Sequence, residues 1–354
     1  VADAAHVTHA LVGSHAAQTS QPTQPTHATQ ATQATQTAIV HHEHLSSLSA
    51  LTAACERLQS SLDIGRGPLW RIGHFETPDE TRLLIAIHHL SVDGVSWRVL
   101  LEELQTAYAQ AEQDEPIALP PPSMSWRAWV RALHRYAASD AVQSEAHWWQ
   151  QALSVLDTAP ALPLRPAAGT RVVESATIDW TLDAGRTRDL LQNASRAYRT
   201  RVDELLLAAL AQALGAWSGA SEIAVELEGH GREDVIDGAD LSRTVGWFTT
   251  RFPVALPAAS AAPGDALIAV KERIRAVPNK GLHWGLLDAS RTRPRPAISF
   301  NYLGRFDQSF DPASRFAFSS EDAGSSHGAG ARLDYALDLN GIVTGETLLL
   351  RWRF

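Results

Sequence analysis

Three prolines, Pro160, Pro163 and Pro166, interrupt a chain whose flanks both carry helix-period and strand-period apolar patterns. Proline fixes φ and lacks an N–H, so the stretch reads as an extended linker over 159–172. It divides the 354 residues into a first lobe, 39–158, and a second, 173–354. With 45% apolar residues the chain can bury a sizeable core.

Before residue 39 the pattern changes. Gln21-Pro22-Thr23-Gln24-Pro25-Thr26-His27 leads into Ala-Thr-Gln triplets that run through Gln36. Such a composition cannot offset the entropy of ordering, and disorder is expected over 1–38. Leu48, Leu51, Ala54, Cys55, Leu58 and Leu62 then fall at helical spacing. Strands are predicted at Leu69–Phe75 and Leu83–Leu90, and a helix around Val99, Leu100, Leu104 and Ala107. Pro120, Pro121 and Pro122 punctuate the chain, and Trp126, Trp129, Trp148 and Trp149 lie on two further helices.

Beyond the linker a strand is expected at Ala176–Leu182 and helices at Thr187–Tyr198 and Val202–Trp217. The second helix carries a stripe of Leu206, Leu210, Ala213 and Leu214, with Asp203 in its first turn, where the helix dipole favours negative charge. Ile223, Val225 and Leu227 alternate as a strand, and Leu348–Trp352 is a closing one. Helices and strands mix without a regular βαβ rhythm, which points to an α+β layered fold with two lobes.

The net charge of −9 gives no electrostatic footprint for nucleic acid or an anionic membrane. A single cysteine, Cys55, excludes an intramolecular disulfide and a cysteine-based zinc cluster. No apolar run has membrane-spanning length and the start lacks a signal peptide's features, so a soluble cytoplasmic protein is expected. Val1 in place of Met suggests a piece of a longer polypeptide.

His88-His89-Leu90-Ser91-Val92-Asp93-Gly94 carries the strongest chemical signal. Imidazole is the side chain best poised to exchange a proton near neutral pH. Adjacent residues of a strand face opposite ways, so one histidine at most addresses a given cavity and the other packs behind it. Asp93 is a natural partner for a buried arginine or for turn amides, and Gly94 lets the chain turn into a helix.

Glu226-Leu227-Glu228-Gly229-His230-Gly231-Arg232-Glu233 is the second block. Alternation puts Glu226 and Glu228 opposite Ile223, Val225 and Leu227, with small neighbours that leave room for a ligand. A polar edge strand with a solvated turn fits the same pattern. Arg232 and Glu233 read as structural ion-pair partners. In the third block, Thr244 to Thr250, Trp247 and Phe248 either line a channel or fill a core. In the fourth, Ile298 to Arg305, Asn301 either donates to a developing oxyanion or bonds a neighbouring strand. His41-His42-Glu43-His44 does not converge on one ion from a regular element, so no metal site is expected. There is no Gly-x-x-x-x-Gly-Lys loop and no Gly-x-Ser-x-Gly elbow.

These four blocks, in this order, resemble the epimerization domains of nonribosomal peptide synthetases, a branch of the condensation superfamily. Val95-Ser96-Trp97-Arg98, Glu228 to Glu233, Thr244 to Thr249 and Phe300 to Gly304 resemble that branch specifically. The resemblance implies a two-lobed chloramphenicol-acetyltransferase-like fold, each lobe a mixed sheet with helices. It covers roughly Leu48 to the C-terminus, and the family's first strands and helix have no evident counterpart, so an incomplete amino-terminal lobe is expected. Asn279 to Gly285 departs from the family's Gly-x-Gly-Tyr-Gly block, replacing the second glycine and the tyrosine.

The function implied is inversion of the α-carbon of an aminoacyl or peptidyl thioester held on a carrier's phosphopantetheine arm. His89 and Glu228 are the implied acid/base pair, which a two-lobed fold could bring face to face. His88 and Asp93 support the motif, Asp93 through a buried arginine. Asn301 or Tyr302 polarises the thioester oxygen. Gly94, Ser96, Trp97, Gly229, His230, Trp247 and Phe248 are the expected substrate-contacting positions. No metal or redox cofactor is implied. The implied partners are an upstream peptidyl carrier domain and a downstream condensation domain, with neither nucleic acid nor membrane. A condensation domain would use the same histidine motif for amide formation, but such chemistry needs no second carboxylate at Glu228. A catalytically inactive remnant that only docks a carrier is the other alternative.

Overall fold

The computed structural model describes the backbone of 7–14 and residues 39–158, 163, 169–259, 262–287, 295–305, 310, 314, 316–328 and 330–354. Contacts group the chain into two units. The first takes Val1–Val92, Leu100–Leu119 and Ser309–Ala331, and the second Asp93–Val99, Pro120–Gln308 and Arg332–Phe354.

The first unit is built on a five-stranded sheet. It comprises β1 (Val7–Ser14), β2 (Val40–His44), β3 (Trp70–Glu76), β4 (Thr81–His88) and β9 (Phe316–Phe318), in the order β2-β3-β4-β1-β9. Only the β2–β3 pair is parallel. Burial along β3 and β4 alternates, as a half-covered sheet requires. Helix α1 (Leu51–Gln59) covers that face, setting Leu51, Ala54 and Cys55 against Phe75, Leu84 and Ala86. A Cβ on Gly73 would lie 2.7 Å from Leu58 and from the Phe75 ring, so glycine is needed for this close packing. Burial pushes the Cys55 thiol up to about 12.

Strand β1 corrects the expectation of disorder over 1–38. Its seven-residue ladder with β4 runs from Val7 opposite His88 to Gly13 opposite Arg82, and its far edge pairs with β9. The amino-terminal unit therefore has a strand at Val7–Ser14, within the stretch where disorder was expected. The stabilising partners lie at 81–88 and 316–318, so no local pattern announces them. The Gln/Pro/Thr tract from 15 to 38 lies outside the described residues.

The second unit carries a six-stranded mixed sheet. Its strands are β5 (Thr177–Leu182), β6 (Glu222–Gly229), β7 (Thr250–Pro257), β8 (Ile298–Arg305), β10 (Leu337–Thr344) and β11 (Thr347–Arg353), in the order β5-β11-β10-β8-β6-β7. β8 is parallel to both β10 and β6, and the other pairs are antiparallel.

Helix α2 (Gly94–Glu112) starts in this unit. α3 (Trp126–Tyr136), α4 (Asp140–Ser144) and α5 (Ala146–Thr158) lie wholly within it. α6 (Ala184–Arg188) and α7 (Ser195–Tyr198) are joined by a π turn, and α8 (Val202–Ser218) and α9 (Pro263–Arg275) complete the set. One core gathers Trp149 and Leu153 of α5, Leu207, Leu210 and Leu214 of α8, and Leu267 and Val270 of α9. These pack on Ile223, Val225, Leu227, Phe252, Val254, Ile298, Phe300 and Leu339. The stripe of α8 is turned from the expected one: Leu207 and Ala211 are buried, because both the sheet and α9 claim a face of the helix.

This division differs from the one the prolines suggest. Residues 120–158 belong to the second unit, and 309–331 return to the first. Prolines impose local extension, but a helix joins whichever sheet receives its apolar face, here through Val142, Trp149 and Leu153. Of the expected linker, 159–162 and 164–168 lie outside the described residues.

Candidate active site

In the first unit β4 ends at His88, and His89-Leu90-Ser91 forms a 3-10 turn. His88 is buried, and its Nδ1 accepts from the Leu90 amide at 3.2 Å. His89 is half-buried, and its Nδ1 lies 3.1 Å from the Val92 carbonyl oxygen. A carbonyl only accepts, so Nδ1 of His89 carries a proton. The two Nδ1 atoms thus differ: that of His88 accepts and props the turn, and that of His89 donates.

In the second unit Asp93 is buried at the start of α2. Its Oδ1 accepts from the Ser96 amide at 2.7 Å, which caps the helix, and its Oδ2 accepts from the Phe248 amide at 3.0 Å. Arg232 Nη2 donates to both carboxylate oxygens, at 3.2 and 3.4 Å. The same guanidinium donates through Nη1 to the carbonyls of Leu241 and Thr244, each at 2.8 Å, and through Nη2 to Ser96 Oγ at 3.0 Å. It stacks on the Phe248 ring at 3.8 Å. Burial pulls Arg232 below its ordinary value against the opposing pull of Asp93. The buried arginine expected for Asp93 is therefore Arg232.

This knot changes the reading of several expected substrate contacts. Ser96 is fully buried; its hydroxyl donates to the Gly246 carbonyl at 2.9 Å and accepts from the Gly246 amide at 3.1 Å. Trp97 is buried, and Phe248 fills a core with Trp126 and Trp129. Ser96 and Phe248 hold Asp93 through their backbone amides. Trp247 is half-buried, and Gly94 is exposed at the first turn of α2.

Gly229 does not make room for a ligand. A Cβ there would meet Thr250 Oγ1 at 2.8 Å and the Lys280 carbonyl at 3.2 Å. Gly231 has φ +66°, and a Cβ would fall 1.7 Å from the Phe248 carbonyl oxygen, so only glycine fits. His230 is exposed; its Nδ1 accepts from the Arg232 amide and its Nε2 lies 3.1 Å from Glu233. Glu233 also pairs with Lys280 at 2.9 Å. Asn279 and Lys280 are left-handed at φ 43° and 47°, a strained run that sits where the sequence departs from the family's glycine-rich block. Asn279 Nδ2 donates to Glu145 Oε1, which also lies 2.8 Å from buried His283 Nδ1.

Glu226 and Glu228 share the face of β6 opposite the core, as the alternation predicts. Glu226 is buried and accepts from the Tyr335 hydroxyl at 2.8 Å. Glu228 accepts from Arg251 Nε at 3.1 Å through Oε1 and from Asn301 Nδ2 at 2.8 Å through Oε2. Asn301 is thus joined to the glutamate. Tyr302, next on β8, packs on the apolar core instead, where burial raises its hydroxyl above the usual value. The structure separates the pair that sequence reasoning grouped together, because neighbours in a strand face opposite ways. Arg251 was missed; its partner is set by the register that places it opposite Glu228.

His42 and His44 of β2 share a face with His74 and Glu76, whereas His41 and Glu43 turn to the other side, where Arg57 pairs with Glu43 at 2.7 Å. Among the described residues no group of three His, Cys, Asp or Glu side chains is arranged to hold a metal ion. Nor is any described helix long and apolar enough to cross a membrane.

A sequence profile of the family described as Condensation domain matches residues 13–354. A linear gramicidin synthase from Brevibacillus parabrevis is 41% identical over 314 residues, covering 84% of this chain but 4% of that protein. Tyrocidine synthase 1 of the same organism is 34% identical over 320 residues, covering 85% of this chain and 29% of that protein. The chain thus spans a small part of these relatives. Among solved structures, the epimerization domain from the third module of tyrocidine synthetase B has a TM-score of 0.82 at 32% identity, covering 89% of this chain and 74% of that one. The X-domain from teicoplanin biosynthesis has a TM-score of 0.70 at 17% identity, a likeness of fold alone, covering 99% and 85%. The mixed, two-sheet architecture expected of a chloramphenicol-acetyltransferase-like fold is the one shared with these structures.

Proposed function

The chain belongs to the condensation-domain family, and within that family we propose that it is an epimerization domain, inverting the α-carbon of an aminoacyl or peptidyl thioester in nonribosomal peptide synthesis. The observation that carries this reading is Glu228, a carboxylate on β6 with a donor on each oxygen. Amide formation between two substrates gives such a group no task.

Inversion requires the α-proton to leave one face of the carbon and another to arrive on the opposite face. The thioester assists, because weak resonance from sulfur leaves the carbonyl free to stabilise an enolate. Glu228 and His89 are the two proton-transfer groups. One takes the proton from Cα, and the C–H electron pair moves into the carbonyl to give the enolate oxygen its charge. The other enters carrying a proton and delivers it to Cα from the opposite face, where the electron pair re-forms the C–H bond; it is left deprotonated, and the group that took the first proton is left protonated. The reverse reaction exchanges their tasks. The Val92 carbonyl accepts from Nδ1 of His89 and orients the ring, and Nε2 is the atom assigned to the exchange. Asp93 and Arg232 hold the loop after the motif in shape.

The substrate arrives on the phosphopantetheine arm of a separate carrier domain. In this reading an upstream carrier and a downstream condensation domain are the partners.

The test uses the chain with an L-aminoacyl thioester of a phosphopantetheinylated carrier in deuterated solvent. The α-proton exchanges with the wild-type chain, and the rate falls about 10²- to 10⁴-fold in Glu228→Gln and in His89→Ala. Peptide-bond formation without α-exchange would identify a condensation domain instead. Wild-type exchange in both variants would remove these residues from the reaction.

A further inference from the structure

Glu228 lies directly opposite Arg251 on the antiparallel neighbour β7. On the parallel neighbour β8, Leu227 is in register with Phe300, so the next residues along are Glu228 and Asn301. Arg251, Glu228 and Asn301 thus form one row across three strands. The row two residues back holds Glu226 and Ser299, which are in register.

The two glutamates are held by different chemistry. Glu226 accepts from a neutral phenol, whereas Glu228 accepts from a guanidinium on one oxygen and an amide on the other. Arg251 is itself anchored. Its Nη1 lies 3.7 Å from Asp334 Oδ2, and Arg295 Nη1 approaches the same oxygen at 3.4 Å. Burial pulls Arg251 down, but Glu228, Tyr335, Glu226 and Asp334 outweigh it and hold the guanidinium charged.

The geometry points to Arg251 as a positioning residue, one that keeps the Glu228 carboxylate ionised and, with Asn301, fixes its plane. This rests on the reading of Glu228 as a proton-transfer group. The two neighbours divide the work. A cation at hydrogen-bond distance favours the charged form of a carboxyl by about 1–3 pH units, while the neutral amide acts in the same direction through its hydrogen bond and orients the group. Among the described residues, Glu226 lies two residues back on the same strand, and Asp334 and Arg295 lie beyond Arg251.

The experiment follows the Glu228 carboxyl directly, by ¹³C NMR of the full chain labelled at glutamate carboxyls, with Glu228→Gln supplying the assignment. In Arg251→Gln the titration midpoint of Glu228 rises by about one pH unit or more. In Arg251→Lys, which keeps the charge, most of the rise is absent, so loss of packing does not account for it. The acidic limb of the α-proton exchange profile, measured with an L-phenylalanyl thioester of a phosphopantetheinylated carrier, moves upward by the same amount. A midpoint in Arg251→Gln within about 0.3 units of wild type would overturn the assignment. A shifted midpoint in a chain that catalyses no exchange supports the hold of Arg251 on Glu228 and overturns the epimerization reading instead.

Discussion

Replacing Asp93 by asparagine removes one negative charge from the bonded cluster around Arg232 in the second unit. The native carboxylate accepts from the Ser96 amide, the Phe248 amide and, at both oxygens, Arg232 Nη2. Asparagine keeps the shape but offers one accepting oxygen, and its NH2 must face donors. Arg232, whose side chain is only 8% exposed, loses its counter-ion. Breaking a buried ion pair from one side costs about 3–5 kcal/mol. Arg232 keeps three neutral acceptors, the carbonyls of Leu241 and Thr244 and the Ser96 hydroxyl, so about 3 kcal/mol is expected for Asp93→Asn. Urea unfolding followed by tryptophan fluorescence is a suitable assay, since Trp126 and Trp129 pack on Phe248 within the same cluster. Removing both partners, in Asp93→Asn with Arg232→Met, is expected to cost less than the sum of the single changes, because no buried charge is left alone. A loss below about 1 kcal/mol for Asp93→Asn, or strict additivity in the double variant, would refute the ion-pair argument.

Three further outcomes follow from the packing. Ala10→Pro removes a ladder hydrogen bond from β1, which lies between β4 and β9, and should destabilise the first unit by about 3 kcal/mol, read as faster amide exchange over 81–88. Gly231→Ala forces a Cβ onto the Phe248 carbonyl at a left-handed φ, and a loss of about 3 kcal/mol or more in unfolding free energy is expected. Arg82 donates to Glu321 at 2.6 Å and holds its carboxyl at about 2, below the usual 4.5. The native state therefore binds fewer protons than the unfolded one in this range. The stabilisation is full above pH 4.5 and is lost as pH falls toward 2. Glu321→Gln should flatten the pH dependence of the unfolding free energy in that window, measured by denaturant titration at several pH values.

What was legible in the sequence was what short-range periodicity encodes. The strand ending in His88, the alternation that sets Glu226 and Glu228 on one face, and the need of Asp93 for an arginine all rest on neighbours within a few residues. What was not legible depends on pairing between distant segments. Strand β1 is held by residues at 81–88 and 316–318. The register of β6 against β7 and β8, which brings Arg251 and Asn301 to Glu228, leaves no local trace. Ser96 and Phe248 read as substrate contacts because polar and aromatic residues beside a motif serve either purpose. Their burial in the Arg232 knot was decided by chain 150 residues away from Ser96.

The central claim, inversion at an α-carbon, is tested most directly by approaching equilibrium from both sides. The chain is incubated with a carrier loaded with the L-aminoacyl thioester and, separately, with its D-enantiomer, and the amino acid released by thioester hydrolysis is resolved on a chiral phase. The expected result is convergence of both reactions on the same mixture of L and D forms, abolished when Glu228 is replaced by glutamine. Retention of the starting configuration in both, with amide product on addition of a second loaded carrier, would contradict it.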